Sequence, residues 1–163
     1  NLETFIPSAA QTPGRMNIFE FKEHKVLIDF AHNPDGFKGI KEFLSTIESP
    51  YKIGIITGTG DRRDSDIREM GRISAEMFDH IIIRQDKFLR GRQAEDIVRL
   101  LVDGIMEYDK NKSYEYIPKE VEALKHALSL AKPGAFITAL SDVIDNAIQV
   151  VQSYQEKERA LAV

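Results

Sequence analysis

Short apolar runs alternate with amphipathic stretches along most of the chain, and this alternation constrains the fold more than any other feature. Between the runs, apolar residues recur at helical spacing over about ten to fifteen residues, which is typical of βαβ units and a parallel sheet. Right-handed crossovers then place helices on both faces of the sheet. The predicted strands are Ile18–Phe21, Lys25–Phe30, Ile53–Thr57, His80–Arg84, Tyr114–Ile117 and Ala135–Leu140.

The fold class predicted from this pattern is α/β. We expect a Rossmann-like three-layer α/β/α sandwich with a mostly parallel six-stranded sheet and one antiparallel edge strand, the first of the six. Two helices are predicted in the C-terminal part of the chain. One opens at Pro118 with Val121 facing inward, and the last runs from Asp142 to about Tyr154, followed by a charged tail that is expected to fray.

The stretch from Val26 to Gly36 marks the predicted ligand-binding edge of the sheet. An apolar run ends at Asp29, and Asn33 and Pro34 then open an amphipathic segment. Asn is a good N-cap, and Pro is tolerated at the first helical position, where no N–H is needed. Ligands of open α/β sheets bind where strands end and helices begin, and a helix N-terminus favours an anion. Asp29, His32 and Asn33 are therefore candidate site residues.

Composition excludes several classes of protein. The 163 residues suit one domain, and 42% of them are hydrophobic, enough for a packed core. The chain has no Cys, a net charge of −4 and no long basic block, so disulfides, thiolate metal sites and a nucleic-acid partner are not expected. No apolar run approaches the ~20 residues that span a membrane, and no signal peptide is visible. A cytoplasmic location is expected.

Four motifs, taken in order, resemble the C-terminal domain of the Mur ligase superfamily, whose enzymes make amide bonds with ATP. They are PGRMN at 13–17, DFAHNPDG at 29–36, GTGDRRD at 58–64 and QDKFLRGR at 85–92. The last two are more similar to the cyanophycin synthetase branch than to the peptidoglycan ligases. The resemblance implies a Rossmann-like ligase domain over residues 18–163, preceded by an interdomain linker over residues 1–17.

A phosphate-binding P-loop is missing from the sequence. GTGDRRD lacks the Lys that reaches the β- and γ-phosphates in that motif, and no other stretch supplies it. The resemblance implies that the P-loop lies in a preceding central ATPase domain. We therefore interpret the chain as an excised C-terminal domain and expect it to be inactive on its own.

The resemblance also implies a nucleotide site at the first two motifs. The Asp at the position of Asp29 contacts the ribose in this family, and the linker arginine matching Arg15 reaches the bound nucleotide. Asn33 is assigned to the same site. His32 is the candidate catalytic residue, with a capping or packing histidine as the alternative. ATP and Mg²⁺ are the implied cofactors, with the metal ligands expected in the central domain and none in this chain.

The two later strand-exit loops carry the candidates for substrate binding. Arginine holds a carboxylate with two parallel hydrogen bonds, and an acid can hold a cationic amino acid. The alternatives are a salt-bridged solvated turn for the first loop and a mobile basic surface loop for the second. The candidates are Asp61, Arg62, Arg63, Asp86, Arg90 and Arg92.

These parts predict a domain of an ATP-dependent ligase resembling cyanophycin synthetase. A carboxylate would be activated as an acyl phosphate and attacked by an amino acid, for which the acidic Asp86 favours arginine. The domain would clamp ATP, bind the amino acid and close on the central domain of the same chain, and a homo-oligomer of the full-length enzyme stays open. The alternatives are a peptidoglycan-type Mur ligase domain and a non-catalytic nucleotide-binding α/β module.

Overall fold

The computed structural model describes residues 16–87, 89–141 and 144–162. Strands and helices alternate after an initial hairpin, as the sequence predicts, and all six predicted strands are present with slightly shifted bounds. The elements are β1 (Asn17–Glu20), β2 (Lys25–Asp29), α1 (Pro34–Leu44), β3 (Lys52–Ile56), α2 (Asp64–Met77), β4 (His80–Ile83), α3 (Ala94–Tyr108), β5 (Ser113–Tyr116), α4 (Glu120–Leu130), β6 (Phe136–Leu140) and α5 (Ile144–Leu161). Arg15 and most of the predicted linker lie outside the described residues.

The six strands form one sheet in the order β1-β2-β6-β3-β4-β5. β1 pairs antiparallel with β2, and every other neighbouring pair is parallel. One apolar cluster joins the sheet to α1, α2 and α3, and a second joins its other face to α4 and α5. The predicted three-layer α/β sandwich with one antiparallel edge strand is confirmed, and the five parallel strands all end at one edge.

Side chains of the central strands alternate between the two apolar clusters. In β4, Ile81 and Ile83 pack with α1–α3, whereas Ile82 packs with α4 and α5. All three are fully buried. Strands covered on both faces read as continuous apolar runs for this reason.

The last two helices differ from the sequence-based expectation. In α4 the buried stripe is Ala123, Leu124, Ala127 and Leu128, and Val121 lies outside it with 37% of its surface exposed. The predicted inward position of Val121 was wrong, because Val121 lies in the first turn of α4, where it lines a surface cleft and is not covered by the core.

The predicted end of the last helix near Tyr154 was also wrong, because α5 continues to Leu161. Its charged tail is tied to the β1–β2 hairpin. The Gln155 amide donates to the Glu20 carbonyl at 2.9 Å, and the Lys22 N–H donates to a Glu158 carboxylate oxygen at 2.9 Å. Among the residues that the structure describes, no helix combines the length and apolar character that crossing a membrane requires.

A carboxylate and two histidines meet beneath α4. His80 Nε2 and His126 Nε2 lie 2.8 Å and 2.7 Å from the same oxygen, Glu115 Oε1. An ionised carboxylate only accepts hydrogen bonds, so both imidazoles donate from Nε2, and Ser113 Oγ meets His80 Nδ1 at 2.7 Å. Burial opposes ionisation of Glu115, but these hydrogen bonds outweigh it and hold the pKa of Glu115 below its ordinary value.

Replacing Glu115 with Gln is expected to lower the free energy of unfolding by about 1 kcal/mol near neutral pH, because the two histidines lose a charged acceptor. The expected loss of stability is small because the Glu115 side chain is 36% exposed to solvent, which screens its charge. A lowered folded-state pKa stabilises above the unfolded value, and that stability is lost as the pH falls through the folded pKa. Urea unfolding of both proteins should therefore show the difference shrinking as the pH falls below the ordinary carboxyl pKa value of 4.5.

The matched control is Glu122→Gln on α4, the helix that carries His126. Glu122 lies on the solvent side, 3.9 Å from Lys119, and an exposed ion pair of this kind contributes little. If wild type and Glu115→Gln differ in free energy of unfolding by the same amount at neutral and at acidic pH, the role assigned to this carboxylate is contradicted.

Candidate functional site

The candidate site residues follow three parallel strands, β2, β3 and β4. The β2 exit is separated from the β4 exit by β6 and β3, so the two lie three strand spacings apart, about 14 Å. The structure therefore distributes the candidates over one edge of the sheet in three groups.

The first group begins with Asp29, whose carboxylate joins two parts of the backbone. Oδ1 accepts from the Met16 N–H at 2.8 Å, and Oδ2 accepts from the Ala31 N–H at 2.9 Å. The side chain is half-buried, and each oxygen keeps one further lone pair. Asp29 therefore holds the chain entering β1 against the turn leaving β2, and it can still accept a hydrogen bond from a ligand.

Asn33 and His32 complete this group. Asn33 is the N-cap of α1, and its Oδ1 accepts from the Gly36 N–H at 2.7 Å, as the sequence predicted. His32 Nδ1 lies 3.0 Å from the Phe30 carbonyl oxygen, so it is the donor, which leaves Nε2 for another partner. With Asp29, these residues line a cavity of about 330 Å³.

The second group joins the loop after β3 to the loop after β4. Arg92 donates from Nε to the Gly60 carbonyl at 3.1 Å and from Nη2 to the Arg62 carbonyl at 2.8 Å. Its Nη1 lies 2.6 Å from Asp64 Oδ1. One guanidinium group thus connects the two loops.

The same two loops touch through their backbones at Gly60. A Cβ atom at this position would lie 1.8 Å from the Leu89 carbonyl oxygen, so only glycine fits. Opposite it, Arg90 and Gly91 both have positive φ, 52° and 84°, and the Arg92 N–H closes the turn onto the Leu89 carbonyl at 3.0 Å. This tight turn packs directly against Gly60.

Asp61, Arg62 and Arg90 come together where the loops meet. The pKa of Asp61 is lowered, first by the Thr59 hydroxyl and further by the positive charges of Arg62 and Arg90. Arg63, in contrast, forms a two-point ion pair with Asp66 at 3.1 and 3.2 Å, with 82% of its side chain exposed. The structure therefore brings four of the six predicted substrate residues together, namely Asp61, Arg62, Arg90 and Arg92, and leaves Arg63 apart.

The third group is a cleft of about 810 Å³ that contains Asp86. Asp86 is only 4% exposed, and Arg84 beside it is 2% exposed. The cleft is also lined by cations and acids from α4 and by the start of α5, among them Lys119, Glu120, Lys125 and Asn146. Asp86 is thus separated from Arg90 and Arg92, which belong to the loop pair.

A buried polar network under this cleft was missed by the sequence-based analysis. Arg84 Nη2 donates to the Leu140 carbonyl at 3.2 Å, and Nη1 lies 3.7 Å from Glu120 Oε2. Ser141 Oγ donates to Glu120 Oε1 at 2.6 Å. The network joins the ends of β4 and β6 to the start of α4. The sequence feature that could have indicated this network is an arginine, Arg84, directly after the apolar run 81–83.

Within the described ranges 16–87, 89–141 and 144–162, no cluster of three or more His, Cys, Asp or Glu side chains is arranged to hold a metal ion. What the edge offers is hydrogen-bond acceptors at β2 and a mixture of cations and acids at β3 and β4. Such an edge can bind an anionic nucleotide and a charged small molecule.

Comparison with known proteins identifies the family. A family sequence model described as "Mur ligase, glutamate ligase domain" matches residues 14–161. The chain is 37% identical over 153 residues to a cyanophycin synthetase of Geminocystis herdmanii, covering 94% of this chain and 17% of that protein. A Synechocystis cyanophycin synthetase is 36% identical over 152 residues, with 93% and 17% covered. The chain thus spans about a sixth of the length of these relatives.

Solved structures agree on the fold. A UDP-N-acetylmuramoyl-L-alanyl-D-glutamate–2,6-diaminopimelate ligase superposes with a TM-score of 0.76 at 20% identity, covering 91% of this chain and 32% of that one. Escherichia coli FolC in complex with ADP superposes with a TM-score of 0.63 at 17% identity, covering 96% and 34%. The α/β fold described above is therefore that of a domain found within larger ligases.

Asp29→Ala is expected to destabilise the chain by about 1–3 kcal/mol, because two backbone N–H groups lose a charged acceptor. Asp29→Asn keeps one acceptor oxygen and should cost less. Urea unfolding measures both, with Asp103→Ala on the solvent face of α3 as control, since Asp103 makes only a loose 3.9 Å ion pair with Arg99. Equal midpoints for wild type and Asp29→Ala would show that Asp29 does not organise this turn.

Proposed function

The chain belongs to the Mur ligase family, as a domain of the glutamate ligase type, and from that premise we propose that it clamps ATP and binds the amino acid in a larger amide-forming ligase. One observation carries the proposal. Acceptor, cationic and acidic side chains that could hold these two ligands follow β2, β3 and β4 at the same edge of the sheet. Ligands of open α/β sheets bind at such an edge.

ATP is assigned to the β2 end of this edge. Asp29 and Asn33 are the proposed nucleotide contacts, together with Arg15, which lies outside the described residues. The free lone pairs of Asp29 suit ribose hydroxyls, and the N-terminus of α1 suits a nearby anion. His32, with Nε2 available, is the proposed catalytic residue, acting by hydrogen bonding to a phosphate at the reacting end of the nucleotide.

The amino acid is assigned to the β3 and β4 exits, and arginine is the proposed substrate. Its carboxylate suits Arg62 and Arg90 at the junction of the loops, and its guanidinium group suits an acid such as Asp86. The similarity to cyanophycin synthetases, at 36–37% identity, supports a ligase of that kind. Among the predicted substrate residues, Asp61 and Arg63 are assigned outer positions around the same ligand.

The proposed reaction has two steps. A carboxylate takes the γ-phosphoryl group of ATP to form an acyl phosphate and ADP, and the amine of the amino acid then displaces phosphate to form the amide. The P-loop and the Mg²⁺ ligands are assigned to a preceding central domain. Closure of the present domain onto it would exclude water and so protect the acyl phosphate from hydrolysis.

The direct test is a ligation assay with a protein that carries this domain together with its upstream domains. ADP formation that requires both an aspartate-containing acceptor and arginine is the expected result. Dependence on a muramyl peptide acceptor would instead support a peptidoglycan-type ligase. ATP binding without amide formation with any amino acid would support a non-catalytic nucleotide-binding module.

Asp86→Asn in that protein is expected to raise the KM for arginine by about tenfold, equivalent to about 1.4 kcal/mol, and to leave the KM for ATP within about twofold. The moderate size reflects a cleft that is open to solvent, since full burial of an unmatched charge costs more. Steady-state kinetics with arginine, lysine and a neutral amino acid measure the effect, with Asp103→Asn as control. An equal change for all three amino acids would exclude Asp86 as the selector.

A further inference from the structure

All three nitrogens of the Arg92 guanidinium group contact acceptors within the protein. Its three hydrogen-bonding nitrogens reach the Gly60 carbonyl, the Arg62 carbonyl and the Asp64 carboxylate at 3.1, 2.8 and 2.6 Å. Gly60 and Arg62 lie in the loop between β3 and α2, and Asp64 is the first residue of α2, so all three acceptors lie about 30 residues earlier in the chain. With its side chain 27% exposed, Arg92 has little left to offer a substrate.

The position of Arg62 depends on this contact. Arg92 holds the Arg62 carbonyl, and the Arg62 N–H donates to the Thr59 carbonyl at 3.2 Å, so the backbone of Arg62 is fixed on both sides. The Nε of Arg62 is buried and has no hydrogen-bond partner within the part of the chain that the structure describes. A buried donor of this kind is costly unless a ligand satisfies it.

Arg90 is fixed by the same junction. It occupies the left-handed region at φ 52°, which is unfavourable for a residue with a side chain, and its Cβ would lie 3.1 Å from a Cβ at Gly60. The turn that holds Arg90 in this conformation is anchored at its end by Arg92. The distance between the Arg62 and Arg90 side chains is therefore set by the loop junction.

We propose that Arg92 is a positioning residue that locks the two loops together and thereby holds Arg62 and Arg90 as a pair for the carboxylate of the amino acid. The proposal rests on the proposed function for the identity of that ligand, while the locking itself is a property of this chain. It removes Arg92 from the residues that touch the substrate. Lysine cannot replace it, because a single ammonium group cannot reach three acceptors that are arranged around a planar fork.

Hydrogen exchange on this chain tests the locking without any enzymatic reaction. Arg92→Lys keeps the charge but loses the fork, and amides of both loops, 58–64 and 85–92, are expected to exchange about tenfold faster. Gly60→Ala, which pushes the loops apart from the other side, should speed up exchange in the same two segments. The control is Arg99→Lys on the exposed face of α3, where exchange in both loops should stay unchanged.

Kinetics of the protein carrying the upstream domains tests the positioning. Arg92→Lys should raise the KM for the amino acid about tenfold, with the KM for ATP and the melting temperature close to wild type. Direct contact variants, Arg62→Lys and Arg90→Lys, should raise the same KM without changing exchange in the opposite loop. This separates positioning residues from contact residues.

Each outcome decides one of the two claims. Faster exchange in both loops together with a selective rise in KM supports the proposal. Unchanged exchange in loop 58–64, or a KM for the amino acid equal to wild type, overturns it. If the wild-type protein forms no amide with any amino acid, the proposed function fails, and the locking by Arg92 is then decided by exchange in the two loops alone.

Discussion

Parallel pairing of β2, β6, β3, β4 and β5 is the constraint on which the rest of the structure depends. Parallel strands require crossover connections, and right-handed crossovers cover both faces of the sheet with helices. Every one of these strands then ends at the same edge. The loops that follow carry the candidate site residues into one region of the surface. The clustering of candidate site residues at one edge is therefore a consequence of the parallel pairing.

Charged side chains at this edge form hydrogen bonds with the protein's own backbone. Irregular backbone at a strand exit leaves N–H and C=O groups that need partners when they are partly buried. Asp29 accepts from two such N–H groups, and Arg92 donates to two such carbonyls. A charge close to the surface also costs less to bury when it is hydrogen-bonded. These hydrogen bonds hold the loop backbones in place, and precise placement of the remaining charges depends on that.

Local features of the fold were predictable from the sequence, and distant contacts were not. The strands, the hairpin and the Asn33 cap depend on neighbouring residues, so apolar periodicity and capping preferences predict them. The partners of Arg92 lie about 30 residues away, and the contact of Glu158 with Lys22 spans 136 residues. No rule based on residue spacing predicts such distant pairs. The contact between Glu158 and Lys22 was therefore not foreseen, and the end of the last helix was predicted wrongly. The prediction that Arg92 binds substrate was likewise made without these distant contacts.

The loop after β4 carries side chains to both faces of the sheet. Alternation along the strand continues past its end, so Arg84 and Asp86 lie on the same face as Ile82 and open into the cleft beside α4. The turn at Arg90 and Gly91 then reverses the chain and brings Arg92 to the loop after β3, on the opposite face. Under the proposed function, this single connection carries Asp86 for one end of the substrate and Arg90 for the other, and the turn geometry sets their separation. Under that proposal, a change of amino-acid specificity would require either a new charge at Asp86 or a new turn, and the turn is constrained by its contact with Gly60.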